Sequence, residues 1–436
     1  MEKGEDFYLY EFPNGFRLAW QRTPTNTIFG NLRINQGALH ENKGEEGIAH
    51  FLEHMFIEGG TEKYTPEEQA KIRGKFGYTN ASTSRDRTII PWGMISSDIE
   101  DYLDMASQMA FCPRLDSTVL EQQRKIVLRE ITRMKGSPDF EDVFKFYWPN
   151  LVRDREHTYF VLGEEEVIKN VTGQRLRDFH KRGYSPNNMS LMLAGDLPVD
   201  LVDMVGNYFA DKKVGDGKPF EFTRVPSLDA KKIKYSEARD LLDKDNPDES
   251  NSQLMFGVVV PDEIHLDSQS LSVLADVLGK SWTTGLKKRI RSDEGMSYDV
   301  GSFYSGDKLL GHFGVRGKVH AKRQERAIDI IFEELEKLKQ KPLDEDEVLR
   351  AKRRVAYKST NGLEKNFSKF VNVDPINVGV IAKMDYSLEE RLPIREQLTR
   401  IDQVTSETIQ RVANEYLPSS RETDNYLLLV RDPLKK

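Results

Sequence analysis

The sequence predicts an α+β protein of two homologous domains, each a mostly antiparallel sheet with helices packed on one side. Segments with the two-residue alternation of strands are mixed with segments that have the three- and four-residue spacing of helices. The two kinds do not alternate strictly, which argues against a doubly wound parallel sheet. The second half repeats the order of elements of the first, although no short motif recurs in both. The length of 436 residues suits two or three domains.

The first half opens with a predicted hairpin, because the turn Pro13-Asn14-Gly15 separates two strand-like segments at 7–10 and 17–21. A third strand is predicted at 28–34, where apolar residues alternate. The other predicted elements of this half are helices at 44–58, 66–76, 99–110, 116–134 and 201–209 and strands at 88–94 and 190–194.

A charge-rich segment that begins with Gly215, Gly217 and Pro219 predicts a linker between the domains. We therefore expect an N-terminal domain at 1–213, a linker at 214–243 and a C-terminal domain at 244–436. In the last of these, strands are predicted at 253–260, 300–305, 311–315 and 425–430 and helices at 268–278, 284–292, 322–340 and 344–360.

Composition excludes several classes of protein. The chain has 64 Lys+Arg against 71 Asp+Glu, a net charge of -7 without the concentrated basic face of a nucleic-acid-binding protein. A single cysteine, Cys112, excludes an intrachain disulfide and a cysteine-rich zinc site. No apolar run reaches the ~18 residues of a membrane span. Charges at the N-terminus argue against a secretory signal, so we expect a cytoplasmic protein, or a mitochondrial matrix protein if a presequence has been removed.

The segment His50-Phe51-Leu52-Glu53-His54 predicts a metal site on a helix. Residues four apart share one helix face, so His50 and His54 can bind the same ion. Glu53 lies on nearly the same face and can reach a water molecule there as a general base. The order H-x-x-E-H is the inverzincin motif of zinc enzymes. By composition it occurs by chance roughly 0.02 times per chain of this kind.

A catalytic zinc ion needs a third protein ligand and an open position for water. Glu130 is the candidate, because it lies beside the apolar residues Val127, Leu128 and Ile131 of a predicted helix. The structural alternatives are a solvated glutamate and a pair of partly buried histidines without a metal.

Several motifs together resemble the pitrilysin (M16) family of inverzincin metallopeptidases, which includes the mitochondrial processing peptidase and short two-domain bacterial members. Glu130 follows His54 by 76 residues, the interval at which that family places its third zinc ligand. The resemblance covers nearly the whole chain and rests on residues 47–55, 59–61, 80–83, Arg85, Thr88, 128–131, 184–189, 195–196, Leu286, Arg291 and 295–298.

The resemblance implies a LuxS/MPP-like metallohydrolase fold and a Zn²⁺ ion held by His50, His54 and Glu130. Glu53 is then the general base of a zinc endopeptidase.

Four further residues are implied to bind substrate. Asn80 and Ala81 match the strand on which a substrate backbone pairs by strand addition. Arg291 and Tyr298 match the pair that contacts substrate near the scissile bond. Without the resemblance, Asn80 reads equally well as a turn residue, and Arg291 and Tyr298 as residues with packing roles.

One position departs from the family. Two helical turns before Glu130, active members usually carry a second glutamate, whereas this chain has Gln123. Glutamine keeps the hydrogen bond and loses the charge, and a change beside a metal ligand can cost ~10–100-fold in affinity or activity.

The family encloses peptides in a chamber of four homologous domains, and this chain supplies two. A homodimer is therefore expected, with Arg291 and Tyr298 serving the zinc site of the other protomer. A heterodimer with an inactive homologue stays possible. The rival functions are a non-catalytic or weakly active structural subunit and another hydrolase on the same metal site.

Overall fold

The computed structural model describes most of the chain, and its elements follow the sequence patterns closely. The described residues are 2–3, 7–137, 140–151, 160–213, 234–236, 251–297, 299–306, 310–367, 373–388, 392–423 and 425–431. The elements of the first half are β1 (Glu2–Lys3), β2 (Tyr8–Glu11), β3 (Arg17–Arg22), β4 (Thr27–Ile34), α1 (Ile48–Glu58), α2 (Pro66–Arg73), β5 (Tyr78–Thr79), β6 (Ser82–Thr83), β7 (Thr88–Ile95), α3 (Ile99–Phe111), α4 (Ser117–Lys135), α5 (Trp148–Leu151), α6 (Glu165–Asn170), α7 (Gly173–Gly183), β8 (Met189–Gly195) and α8 (Leu201–Phe209).

The second half contains fewer strands and longer helices. Its elements are β9 (Lys234–Ser236), β10 (Asn251–Val260), α9 (Ser268–Lys280), β11 (Asp299–Gly306), β12 (Gly311–His320), α10 (Gln324–Gln340), α11 (Glu345–Phe367), α12 (Pro375–Leu388), α13 (Ile394–Asp402), α14 (Ser406–Tyr416) and β13 (Leu427–Arg431). Two further segments, Glu141–Tyr147 and Lys287–Asp293, are π-helical.

The chain forms two compact units that exchange one segment each. The first unit comprises Met1–Ser137, His157–Glu221 and Gly362–Glu390. The second comprises Pro138–Glu156, Phe222–Asn361 and Arg391–Lys436. The predicted division into continuous halves at 1–213 and 244–436 therefore differs from these units in two segments. Of the predicted linker at 214–243, only Lys234–Ser236 lies within the described residues, where it forms β9.

The five strands of the second sheet, β9, β13, β10, β12 and β11, follow the same order as β3, β8, β4, β7 and β5 of the eight-stranded first sheet. In the first unit the order is β1-β2-β3-β8-β4-β7-β5, with β6 also paired to β7. In the second it is β11-β12-β10-β13-β9. Each sheet contains one parallel pair, β3 with β8 and β9 with β13, and its other pairs are antiparallel. The predicted α+β fold of two mostly antiparallel domains is confirmed.

Alternation along the strands of the first unit buries two apolar faces. One face packs against the helices that follow β4, and Leu32, Leu191 and Leu193 belong to this main core. The opposite face, with Phe29 and Met192, packs against α12. This helix comes from the second half of the chain, in a segment for which the sequence predicts no element.

The second unit contains a helical segment from the first half of the chain, within Pro138–Glu156. Leu254, Phe256 and Phe313 face its main core. On the same sheet, Tyr147 from the π-helical segment 141–147 shares a hydrogen bond of 2.5 Å with His312 of β12. Both side chains are buried. No helix in the described part of the chain is long and apolar enough to span a membrane.

Candidate metal centre

Helix α1, which carries His50, Glu53 and His54, directly follows a residue whose backbone conformation favours glycine. Gly47 has a φ of 93°, in the left-handed region that favours glycine. A Cβ added there would lie 2.5 Å from the carbonyl oxygen of Leu162. The start of α1 is therefore fixed both by backbone conformation and by close packing.

A buried carboxylate caps this helix. Glu41 accepts hydrogen bonds from the backbone N–H groups of Gly47 and Ala49, at 3.0 and 2.9 Å. These N–H groups have no partner within the helix, so the carboxylate satisfies them. Burial raises the pKa of Glu41 to about 8, and the two hydrogen bonds oppose that rise.

Three side chains converge from two helices. His50 and His54 lie on one face of α1, with ring centroids 4.8 Å apart. Glu130, from α4, places Oε2 at 3.6 Å from Nε2 of each histidine. Among the described residues, these three form the one group of at least three His, Cys, Asp or Glu side chains close enough to share an ion.

The donor set fits zinc. Two imidazole nitrogens and one carboxylate oxygen are the protein ligands of one common class of catalytic zinc site. Burial, together with the neighbouring His54, lowers the pKa of His50 to about 3. His50 is therefore neutral at physiological pH, as a histidine must be to bind a metal through its ring nitrogen.

The hydrogen bonding of His54 also suits a ligand. Its Nδ1 lies 3.2 Å from Oε1 of Gln123, which is buried on α4. An amide oxygen can only accept, so Nδ1 carries the proton and Nε2 keeps its lone pair toward Glu130. Nδ1 of His50, by contrast, is buried without a hydrogen-bond partner among the described residues.

Glu53 is held beside the histidines by Thr83, a residue for which the sequence predicts no role. Oγ1 of Thr83, on β6, donates a hydrogen bond of 2.6 Å to Oε2 of Glu53. Burial raises the pKa of Glu53, and the bond from Thr83 opposes the rise. A carboxylate whose pKa is raised in the direction of physiological pH is better suited to take up a proton. Thr83 stood within a matched motif, but only the fold brings it to Glu53.

The predicted substrate residues lie in different parts of the molecule. Asn80 and Ala81 lie between β5 and β6, at the edge of the first sheet, and N–H of Asn80 donates to the carbonyl of Pro91 at 3.1 Å. Arg291 lies in the π-helical segment of the second unit, with its guanidinium 5.1 Å from the ring centroid of Trp282. Tyr298 lies outside the described residues. Substrate binding by all four stays a prediction.

Two family models match the chain and together cover most of it. The model described as "Insulinase (Peptidase family M16)" matches residues 17–149, which contain His50, Glu53, His54 and Glu130. The model described as "Peptidase M16 inactive domain" matches residues 170–355. The chain belongs to peptidase family M16. The predicted family is therefore confirmed, and within this M16 chain the candidate ligands all fall in the first of the two matches.

Similar proteins agree with this assignment. An uncharacterized zinc protease of Bacillus subtilis, YmxG, is 26% identical over 366 residues, which are 83% of this chain and 85% of that protein. A probable beta subunit of the mitochondrial-processing peptidase of Arabidopsis thaliana is 26% identical over 417 residues, 93% of this chain and 75% of that protein.

The fold also matches solved structures. A protease from Helicobacter pylori has a TM-score of 0.80 at 19% identity and covers 98% of this chain and 99% of its own. A Pseudomonas fluorescens structure described as a peptidase M16 inactive domain has a TM-score of 0.78 at 16% identity, with 98% of both chains covered. At these identities, the likeness shows the fold.

Proposed function

We propose that this M16 chain is a zinc-dependent endopeptidase that hydrolyses peptides or unfolded polypeptide segments. The observation that carries the proposal is the convergence of His50, His54 and Glu130. Glu53 directly precedes His54 on α1. Zinc bound by these three residues would polarise the scissile carbonyl and lower the pKa of water.

The residues of the chain divide the remaining work. Glu53 takes a proton from the attacking water and delivers it to the leaving nitrogen. Thr83 orients the carboxylate through its hydrogen bond to Oε2. Gln123 keeps Nε2 of His54 unprotonated by accepting from Nδ1. Burial of His50 and Glu53 limits water in the site, which strengthens each of these polar interactions.

We expect the Glu53→Gln variant to bind zinc as the wild type does and to lose at least about a hundredfold in kcat, since general-base catalysis contributes ~10²–10⁴-fold. Metal content is measured by atomic emission and turnover with a quenched fluorescent peptide. The Glu62→Gln variant, which changes a carboxylate outside the site, is the control. Full peptidase activity in Glu53→Gln would refute the assignment.

A non-catalytic or weakly active structural or binding subunit is the second candidate, and Gln123 is the observation that favours it. The neutral amide lends His54 less basicity than a carboxylate would. Digestion of a peptide mixture with and without a chelator separates the two candidates, because a peptidase loses activity with its metal. A subunit without activity of its own shows no digestion in either condition.

We further propose that the active unit is a dimer in which Arg291 and Tyr298 of one protomer contact substrate at the zinc site of the other. The presence of both residues and of the zinc motif in one chain supports a homodimer. The test mixes inactive Glu53→Gln protomers with inactive Arg291→Ala protomers. Recovery of part of the activity on mixing supports exchange between subunits, and no recovery contradicts it. The cytoplasmic location stays a prediction.

A further inference from the structure

The second unit carries a cluster of charges where the first carries its candidate metal centre. By the shared topology, α9 and α11 of the second unit correspond to α1 and α4 of the first. The residues that meet between them are Asp276 of α9 and Arg354 and Lys358 of α11. Oδ1 and Oδ2 of the aspartate each lie 2.5 Å from one of these cations. In this unit the two helices thus join through ion pairs.

An open cleft of about 930 Å³ lies against this cluster. It extends along β11, which is the edge strand of the second sheet. Cationic side chains outnumber carboxylates in its lining. The five cations are Lys280, Lys287, Arg291, Arg316 and Lys358, and the two carboxylates are Asp276 and Asp299.

The more buried carboxylate is already neutralised inside the cluster. Asp276 is only 2% exposed, and both of its oxygens are taken by Arg354 and Lys358. Lys280 lies against Lys358, and partial burial together with this like charge lowers the pKa of Lys280. Burial and the nearby Arg291 lower the pKa of Lys287 in the same way. An anion in the cleft would relieve this repulsion between like charges.

Aromatic rings hold three of the cations in place, among them Arg291, whose guanidinium lies 5.1 Å from the ring centroid of Trp282. Nζ of Lys287 lies 3.3 Å from the ring centroid of Trp282, which is 58% exposed. The guanidinium of Arg316 lies 5.9 Å from the ring centroid of Phe303 on β11. Cations positioned over rings lose less freedom when they bind a partner, so this arrangement favours ligand binding.

We propose that this cleft binds acidic segments of peptides through their side-chain carboxylates. The inference rests on the proposed function, because it identifies acidic peptides as the substrates of the peptidase. Mitochondrial targeting peptides are rich in arginine and poor in acidic residues, and the cleft would repel them. The whole chain has a net charge of -7, so general electrostatic attraction does not account for the binding of an acidic peptide.

The test measures binding without cleavage in the full-length Glu53→Gln protein. A short fluorescein-labelled glutamate-rich peptide and a lysine-rich peptide of equal length are titrated by fluorescence anisotropy at low salt. We expect the acidic peptide to bind more tightly than the basic one, and its affinity to fall as salt screens the charges.

Three further variants separate charge from fold. Lys280→Gln with Arg316→Gln removes two exposed cations of the cleft and should weaken acidic-peptide binding about fivefold to tenfold, because exposed ion pairs each contribute little. Lys280→Arg with Arg316→Lys keeps both charges and should bind as before. Lys322→Gln with Arg353→Gln, which removes two exposed cations of the same unit outside the cleft lining, should also bind as before.

Equal affinity for the two peptides, or an equal loss in the last variant, would overturn the proposal. The result is independent of the peptidase assignment, because binding is measured in a variant that does not cleave. If the wild type digests peptides but the acidic peptide does not bind more tightly than the basic one, only this inference is contradicted. If the acidic peptide binds preferentially but the wild type digests no peptide, the proposed function is contradicted instead.

Discussion

The hydrogen bond between Gln123 and His54 shows how one neutral side chain can set the tautomer of a candidate metal ligand. Oε1 of the glutamine accepts from Nδ1 at 3.2 Å, which directs the lone pair of Nε2 toward Glu130. A glutamate at this position would do the same with a negative charge, which makes the imidazole a stronger donor to a metal. The geometry of the site is thus kept while its electronic character is changed.

We expect Gln123→Ala to weaken zinc binding about 10–100-fold, because Nδ1 loses the acceptor that fixes its tautomer. Gln123→Glu should retain zinc and raise activity above the wild type. Zinc affinity is measured by competition with a chromophoric chelator, and kcat with a peptide substrate. The exposed Gln340 of α10 provides the control, Gln340→Ala. Unchanged zinc affinity in Gln123→Ala would show that the hydrogen bond does not position His54.

At the same scale, the spacing on one helix predicted His50, Glu53 and His54, which is a local signal. Glu130, 76 residues after His54, was predicted from its place beside an apolar helix face and from the resemblance to the family. It gave no role to Thr83, whose contact with Glu53 depends on the pairing of β6 with β7. Tyr298, which was predicted to bind substrate, lies outside the described residues.

Helix α12 shows at the level of elements how a buried ion pair fixes a distant segment. Nη1 of Arg33 on β4 lies 2.7 Å from Oδ1 of Asp385, and both side chains are buried. Nε of the same arginine donates to Asn35 at 2.7 Å. The two charges are 352 positions apart in the sequence, and together with the apolar face around Ile381 they attach α12 to the sheet of the first unit.

We expect Asp385→Ala to reduce the free energy of unfolding by about 3–5 kcal/mol, since it leaves Arg33 buried without its counter-charge. The double variant Arg33→Met with Asp385→Leu should lose less stability than the single one, because it removes both buried charges. Arg87, which lies 3.8 Å from Asp385, keeps its second partner Asp86. Urea unfolding followed by circular dichroism measures the difference. A loss in the double variant as large as in the single one would contradict this interpretation.

The sequence could not predict α12 for a physical reason. Apolar residues occur on most sides of this helix, among them Ile376, Val378 and Ile381, so the three- and four-residue spacing that marks a surface helix is weak. The pairing of Tyr147 with His312 in the second unit is likewise a long-range contact without a local signal.

For the molecule as a whole, buried histidines couple stability to pH. Burial lowers the pKa of His312 to about 3, against an ordinary value of 6.5. Between these values the unfolded chain takes up a proton that the folded second unit does not, so stability falls as the pH falls below about 6.5. Above that value the histidine is neutral in both states and contributes no dependence.

We expect this histidine to contribute about 1.4 kcal/mol per pH unit to the acid-side loss of unfolding free energy. His312→Gln should make the slope shallower by that amount between pH 6 and pH 4, as measured by urea unfolding at several pH values. Tyr147→Phe, which removes the hydrogen bond and keeps the histidine, should lower stability and retain the slope. An unchanged slope in His312→Gln would contradict the prediction.

Metal binding provides a second test at this scale. A ligand at a hundred times its Kd stabilises the folded state by about 2.7 kcal/mol. We therefore expect zinc to raise the Tm of the first unit by roughly 5–10 °C, at about 2–4 °C per kcal/mol for units of this size. Calorimetry with zinc, with chelator and with Mg²⁺ measures it. Glu130→Ala should lose the shift, and an equal shift with Mg²⁺ would argue against the His/His/Glu site.

The exchanged helices have a consequence for any attempt to divide this protein. A cut within 214–233 would leave α12 on one fragment and the sheet face that it covers, with Phe29 and Met192, on the other. Each fragment would also expose a buried ionic or polar group, Arg33 in one and His312 in the other. We expect the two pieces made separately to aggregate and a chain nicked there after folding to stay associated. The packing of each exchanged segment against the other fragment should therefore hold the two pieces together after the peptide bond between them is cut.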